Sequence, residues 1–238
     1  MNKYNNKFYD NQKGGSFRSA KIILPLIINS IKPKSVLDVG CGLGTWLKVA
    51  MDCGITDIAG LDGEYIEINR LVIPKKYFFP TDLTKSQNLK RRFDLVISLE
   101  VAEHLPKRYS RRFVSTLTRH SDYILFSAAI PDQGGTNHIN EQWQSYWEKI
   151  FNDEGYDAID CIRPVVWKNK SVEWWYSQNA VLYVNRNKIK SDLLRNLKSN
   201  ISTGYLDIVH PSRYLLTSRP KSIFQTIKDA FTCLLEKW

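Results

Sequence analysis

The chain has 238 residues, of which 43% are hydrophobic and 24% charged, the balance of a globular protein large enough to bury a core in one domain. No apolar run approaches the roughly 20 residues that span a bilayer, and the longest early one, "IILPLII" (22–28), is broken by Pro25. The net charge of +10 is the main departure from the ordinary, and residues 186–238 contribute to it with ten Lys/Arg against four Asp/Glu.

In chain order, "SVLDVG" (35–40) is an apolar run ending in glycine and predicts a strand. "TWLKVAMDCG" (45–54) predicts a helix stopped by Gly54. Further strands are expected at 57–62, 77–83 and 93–99. An amphipathic helix follows at 107–120, with Phe113, Val114 and Leu117 on its inner face. A fifth strand is expected at 123–131, then a polar glycine-containing loop to about residue 140, then a helix over 141–155. "DAIDCIRPVVW" and "NAVLYVNR" are read as the last two strands. Beyond residue 186 the chain changes character, with a basic helical piece at 189–199 and an amphipathic closing helix at 221–238.

Alternating strands and helices imply an α/β fold whose parallel sheet is covered on both faces, with ligands bound beyond the carboxyl ends of the strands. The N-terminal stretch has no apolar h-region, and Cys41, Cys53, Cys161 and Cys233 form neither a CxxC pair nor a disulfide framework. A reducing cytoplasm is therefore the expected location. The positive charge favours an anionic partner such as nucleic acid, an anionic carrier or a membrane surface at the inner face, with plainly solvated faces as the alternative. No RNA-recognition motif or zinc-finger spacing is visible.

"VLDVGCGLGTWL" (36–47) carries the strongest signal. Gly40, Gly42 and Gly44 lie between a strand and a helix, where the backbone can approach a ligand at a helix N-terminus. The spacing is GxGxG rather than the GxGxxG of dinucleotide folds, and no P-loop Lys-Ser/Thr follows. Asp62 ends the second strand, the usual place for an acid that accepts ribose hydroxyls, and Asp82 with Leu83 ends the third.

Together these features resemble the class I S-adenosylmethionine (SAM)-dependent methyltransferases over about residues 35–185. The resemblance implies a Rossmann-like seven-stranded sheet with helices on both faces and an antiparallel last strand. It also implies Asp38 and Gly40 near the methionine end of SAM, Asp62 on the ribose, and Asp82 and Leu83 at the adenine, with Gly63 a further cofactor contact. Residues 1–34 would then form a helical lid over the cofactor, residues 35–185 the SAM-binding core, and residues 186–238 a basic helical extension. More locally, "FYDNQKGGSFRSA" (8–20), "SLEVAEHLP" (98–106), "LFSAAIPDQGGTNHINEQW" (125–143) and "VEWWYSQN" (172–179) look like a bacterial methyltransferase family associated with surface-polysaccharide and glycan biosynthesis. That likeness makes Tyr9, Gly15 and Ser16 candidate cofactor contacts from the lid.

"SLEVAEHLP" gathers Glu100, Glu103 and His104 at the end of the fourth strand, at i, i+3 and i+4 if the chain turns helical there. A sugar hydroxyl is a poor nucleophile for the in-line methyl transfer, so a base or a metal must activate it. Three readings stay open. Glu100, Glu103 and His104 with the distal His138 would suit Mg²⁺ or Mn²⁺, as the similar E-x-x-E-H of small-RNA 3′-end 2′-O-methyltransferases implies. Alternatively His138 or His104 acts as a metal-free base with Glu100 or Glu103 orienting it. In the third reading Glu103 and His104 cap a helix and Glu100 contacts the cofactor's amine. Trp174, Trp175 and Tyr176 are candidate substrate-stacking side chains, whereas Trp143 and Trp147 read as core. The expected activity is a SAM-dependent O-methyltransferase acting on a sugar hydroxyl of a glycan or nucleotide-sugar. The alternatives are an RNA 2′-O-methyltransferase and a non-catalytic subunit of the same fold.

Overall fold

The computed structural model describes residues 6–189, 191–197 and 205–218, and their side chains over 14–189, 191–197 and 205–216. In chain order the elements are α1 (Asn6–Ile31), β1 (Ser35–Val39), α2 (Thr45–Asp52), β2 (Asp57–Asp62), β3 (Phe78–Pro80), β4 (Leu95–Leu99) and α3 (Ser110–His120). There follow β5 (Tyr123–Ser127), α4 (Gln144–Asp153), β6 (Tyr156–Ile159), α5 (Arg163–Val166), α6 (Trp174–Asn179), β7 (Val181–Asn185), α7 (Ser191–Leu197) and α8 (Pro211–Ser218).

One sheet of seven strands runs in the order β3-β2-β1-β4-β5-β7-β6. The first five strands are parallel, and β7 pairs antiparallel with both β5 and β6. The two-residue period of each strand divides its side chains between two cores. Val36, Leu95, Ile97, Leu125 and Leu182 pack with Ile23, Leu24 and Ile27 of α1 and Leu47 of α2. Their neighbours Leu37, Val96, Ile124, Phe126 and Val181 pack with Phe113 and Leu117 of α3 and Trp147 and Phe151 of α4. Each large aliphatic side chain so buried contributes about 1.5–3 kcal/mol. That is why these strands are near-continuous apolar runs and not alternating ones.

The chain departs from the expected boundaries where local chemistry intervenes. The third strand stops at Pro80, which has no N–H to continue the ladder. "DAIDCIRPVVW" is a strand only to Ile159, after which Pro164 opens the short helix α5. "WWYSQN", expected in an extended approach to the last strand, is helix α6. The basic stretch at 189–199 contains helix α7, whose Leu193 and Leu197 are buried with the α1 side of the core. Leu206 is buried with the opposite core, and Asp207 accepts hydrogen bonds from the Ser145 amide and hydroxyl, both at 2.7 Å. The chain divides into two units, Met1–Ile208 and Val209–Trp238, so the described residues of 186–208 fall in the first. Of the second unit, α8 is described; the closing helix expected at 221–238 lies outside the described residues. Among the described residues, no helix is long and apolar enough to cross a membrane.

The strand order reverses between β1 and β4. From β1 the chain runs outward to β2 and β3 on one side, then returns to β4 on the other, so a crevice opens beyond the carboxyl ends of β1 and β4.

Candidate functional site

The loop after β1 turns through left-handed backbone at Gly40 (φ 86°) and Gly42 (φ 53°). At Gly40 a Cβ would fall 2.3 Å from a methyl of Val101, so β1 and the segment after β4 meet there backbone to side chain. At Gly42 a Cβ would meet nothing within 4 Å, and the residue lines a cavity of about 670 Å³. Gly44 begins α2 against Ile73 and is not among the lining residues. Asp62 at the end of β2 organises the rim: one carboxylate oxygen accepts the Gly42 amide (2.6 Å), and the other accepts the Gly63 amide (2.7 Å) and the Tyr65 hydroxyl. Burial pushes the Asp62 carboxyl up, and these three donors pull against it.

Asp38 sits behind the wall, 2% exposed and not among the lining residues, with Oδ2 lacking any hydrogen-bond donor. Burial, then the charge of Asp62, holds its carboxyl well above the usual range. Asp82 and Leu83 line the far wall. The Asp82 carboxylate is exposed and accepts from the Thr84 hydroxyl (2.7 Å) and amide (3.0 Å), which hold its pKa down.

SAM fits this wall. The cavity lies within the roughly 300–1,000 Å³ of small-molecule sites. Gly42 leaves open space, and Asp62 presents acceptors at a strand end. Ser16 of α1 and Tyr176 of α6 close it from above, their hydroxyls 3.1 Å apart. The Tyr176 ring packs edge-on against Trp46, 5.3 Å between centroids. The side chain of Tyr9 lies outside the described residues, and Gly15 packs α1 closely against Glu173. Trp174 and Trp175 are not among the lining residues, and Trp175 packs on the core.

Cys41 also lines the cavity; burial, and then the charges of Asp38 and Asp62, push its thiol well up, while Cys53 is exposed. Brief iodoacetamide treatment followed by peptide mapping is expected to label Cys53 first and Cys41 slowly, with SAM slowing Cys41 further. Rapid labelling of Cys41 that SAM leaves unchanged would remove the cofactor from this cavity.

At the other end of the cavity Glu100 follows β4 in left-handed backbone (φ 56°), an uncommon conformation for a residue with a side chain. Its amide donates to the Ser127 carbonyl (3.0 Å) and hydroxyl (3.1 Å). Its carboxylate accepts from Asn179 Nδ2 (3.1 Å) and Gln133 Nε2 (3.0 Å), and Gln178 and Asn179 both donate to Gln133 Oε1. Burial raises its pKa against these bonds.

The left-handed step at Glu100 replaces the regular helix that would align positions 100, 103 and 104 on one face. A 3₁₀ turn at Ala102–His104 instead buries Glu103 completely and leaves His104 on the cavity wall. Neither Glu103 carboxylate oxygen has a hydrogen-bond partner. Burial, then the charge of Glu100, pushes its pKa well up, and the nearby Glu103 and Ala129 amides only soften the shift.

The Glu103 carbonyl accepts the amides of Ile139 (2.9 Å) and Asn140 (3.0 Å), straps that bring His138 to His104. The two rings lie 4.9 Å apart, edge to face. One ligating atom from each of Glu103, His104 and His138 lies within 4.8 Å of the others, and Glu100 is not part of that group. Burial, then His138, pulls the His104 pKa down to about 4, which favours the neutral imidazole that metals require. A buried carboxylate without donors beside two imidazoles fits a divalent cation with mixed O/N ligands. Residues absent from the sequence-based site are Tyr65, Ser127, Gln133, Glu141, Gln178 and Asn179. For Gln133, Glu141, Gln178 and Asn179 the hint was polarity next to strand ends, in "PDQGGTNHINEQ" and "SQN"; no such pattern singled out Tyr65 or Ser127.

Comparison with known proteins agrees with this architecture. The chain is 31% identical over 128 residues to the ubiquinone biosynthesis O-methyltransferase of Proteus mirabilis (strain HI4320), covering 48% of the chain and 52% of that relative. It thus spans about half the length of that relative. The methyltransferase domain of bacterial-CtHen1-CN superposes with a TM-score of 0.52 at 19% identity, over 70% of this chain and 97% of that one. Magnesium protoporphyrin IX methyltransferase from Synechocystis PCC 6803, solved with bound SAM, gives a TM-score of 0.52 at 20% identity, over 72% and 80%. At those identities the two likenesses show the fold. Residues 17–180, more than half of the chain, match the family described as "Methyltransferase domain", and the protein belongs to that family, its core a class I SAM-dependent methyltransferase domain.

Proposed function

We propose that the protein is an O-methyltransferase that transfers the methyl group of SAM to a sugar hydroxyl of a glycan or nucleotide-sugar, with a divalent cation held by Glu103, His104 and His138. The observation that carries this reading is the group of those three side chains beside the cavity, with His104 belonging to both. An aliphatic sugar hydroxyl is a far weaker acid than a phenol, whose pKa is about 10, and activating it calls for such a centre. Bound there, Mg²⁺ or Mn²⁺ would act as a Lewis acid that lowers the hydroxyl's pKa.

The chain's own residues do the rest. Asp62 and the glycine loop orient the donor, and Glu100, clamped by Gln133 and Asn179, presents a fixed acceptor beside the reacting centre. Tyr176 and Ser16 close the cavity and limit water. The basic residues of 186–238 favour an acceptor carried on an anionic group or presented at an anionic membrane surface.

The test is a methyl-transfer screen with mass detection over monosaccharides, nucleotide-sugars and short RNAs, run with EDTA and then with Mn²⁺ or Mg²⁺ restored. Methylated sugar, at least about 100-fold less of it in EDTA, and recovery on adding the metal are expected. Turnover indifferent to EDTA would refute the metal centre, and methylation confined to RNA would refute the sugar acceptor.

A further inference from the structure

Both histidines of the cluster are held by acceptors from one loop, and the two acceptors differ in kind. His104 Nδ1 lies 3.2 Å from the Asn137 carbonyl, which can only accept, so Nδ1 carries the proton. His138 Nδ1 lies 2.9 Å from Glu141 Oε1, and the same oxygen accepts the Gly134 amide at 2.8 Å. That amide anchors the Glu141 carboxylate independently of the imidazole. Glu141 is largely buried, with 19% of its side chain exposed, and the His138 side chain is 13% exposed. Gly135 lies against the other edge of the ring, where a Cβ would come within 2.3 Å of His138 Nε2.

We infer that Glu141 is a positioning residue that fixes His138 as the Nδ1–H tautomer and so commits its Nε2 lone pair to the centre formed with Glu103 and His104. The inference deepens the proposed metal-assisted reading, yet its first consequence concerns the ring alone. A neutral imidazole free in water favours Nε2–H, the tautomer that would put a proton where a ligand atom is needed. The carboxylate at Nδ1 reverses that preference and orients the ring. Any side chain at position 135 would press on the Nε2 edge, which the glycine avoids.

Nitrogen NMR of the four histidines in the intact protein tests this without metal or acceptor. At about pH 8.5, two units above an ordinary histidine pKa, with EDTA present, His138 is expected to show an unprotonated Nε2 and a protonated Nδ1. Its signals are identified by their loss in His138→Asn. In Glu141→Ala the pattern is expected to revert toward Nε2–H, while calorimetric SAM affinity stays within about twofold of wild type, showing that the fold survives. Mn²⁺ affinity, followed by electron paramagnetic resonance, is expected to fall about 10–100-fold in Glu141→Ala. Glu141→Gln, whose amide oxygen can still accept both protons, is expected to recover part of that affinity. A wild-type His138 already in the Nε2–H form overturns the inference, as does a Glu141→Ala variant with unchanged tautomer. If the wild type binds no Mn²⁺ but shows the Nδ1–H tautomer, the metal reading falls and the role of Glu141 stands.

Discussion

Exchanging Asp62 for asparagine is expected to weaken SAM binding roughly 10–100-fold while the protein remains folded. The two carboxylate oxygens of Asp62 both act as acceptors, one for the Gly42 amide and the other for the Gly63 amide and the Tyr65 hydroxyl. An asparagine has only one acceptor oxygen, so in either orientation its NH₂ faces a backbone N–H. One donor is left opposed in a site where Asp62 is 4% exposed, at a cost of about 1–3 kcal/mol. The penalty falls on the glycine loop and on the rim of the cavity that a cofactor ribose would meet. Asp82→Asn provides the contrast, since that carboxylate is exposed and an asparagine oxygen can still accept from Thr84, so a change below about threefold is expected. Titration calorimetry with SAM or its demethylated product distinguishes the two. Equal effects at both positions would show that Asp62 has no special hold on the loop.

Replacing Glu103 by glutamine is expected to abolish turnover and, with metal chelated, to raise the melting temperature. Glu103 is wholly buried, neither carboxylate oxygen has a hydrogen-bond partner, the nearby amides only soften the upward shift, and Glu100 is close enough to repel it. A buried charge without compensation is among the most costly features a fold can hold. Its neutral isostere should therefore recover about 1–2 kcal/mol, or a few degrees at about 2–4 °C per kcal/mol for a chain of this size. Turnover should fall more than about 100-fold, because a ligand to the proposed cation is lost. This pairing of gained stability with lost activity marks a residue kept for function. Scanning calorimetry in EDTA and the methyl-transfer assay measure the two halves. A destabilised variant with near-normal turnover would make Glu103 a structural residue and sink the proposed centre.

The cofactor half of the site was legible in the sequence because its parts are local. A glycine loop between an apolar strand and a helix, with acids at the ends of the next two strands, encodes its geometry in spacing along one short segment. Even so, spacing could not distinguish a glycine that faces the ligand from one that packs a helix. Gly42 opens into the cavity, whereas Gly44 is pressed against Ile73 from a distant loop. Nor could spacing show that Asp38, next to the loop in sequence, is buried and not among the lining residues.

The reacting half was legible only as residue types. Glu100, Glu103 and His104 look like one helix face, but the left-handed backbone at Glu100 and the 3₁₀ turn after it leave Glu103 and His104 grouped with His138 and Glu100 outside that group. Glu100 is taken up by amides from positions 133 and 179, and Glu103 goes fully inward. Trp174 and Trp175, which read as a stacking platform, ride on helix α6 outside the cavity lining, and Tyr176 closes the cofactor side instead.

By itself the sequence determined the order of strands and helices, the two-sided sheet and the cofactor loop, since periodicity and glycine placement act over a few residues. Tertiary structure alone decided the partners. The loop bonded to the Glu103 carbonyl brings His138 against His104, and the crossing of three distant segments clamps Glu100. Contacts between residues some 30 to 80 positions apart depend on how the chain packs as a whole, and no local pattern specifies them.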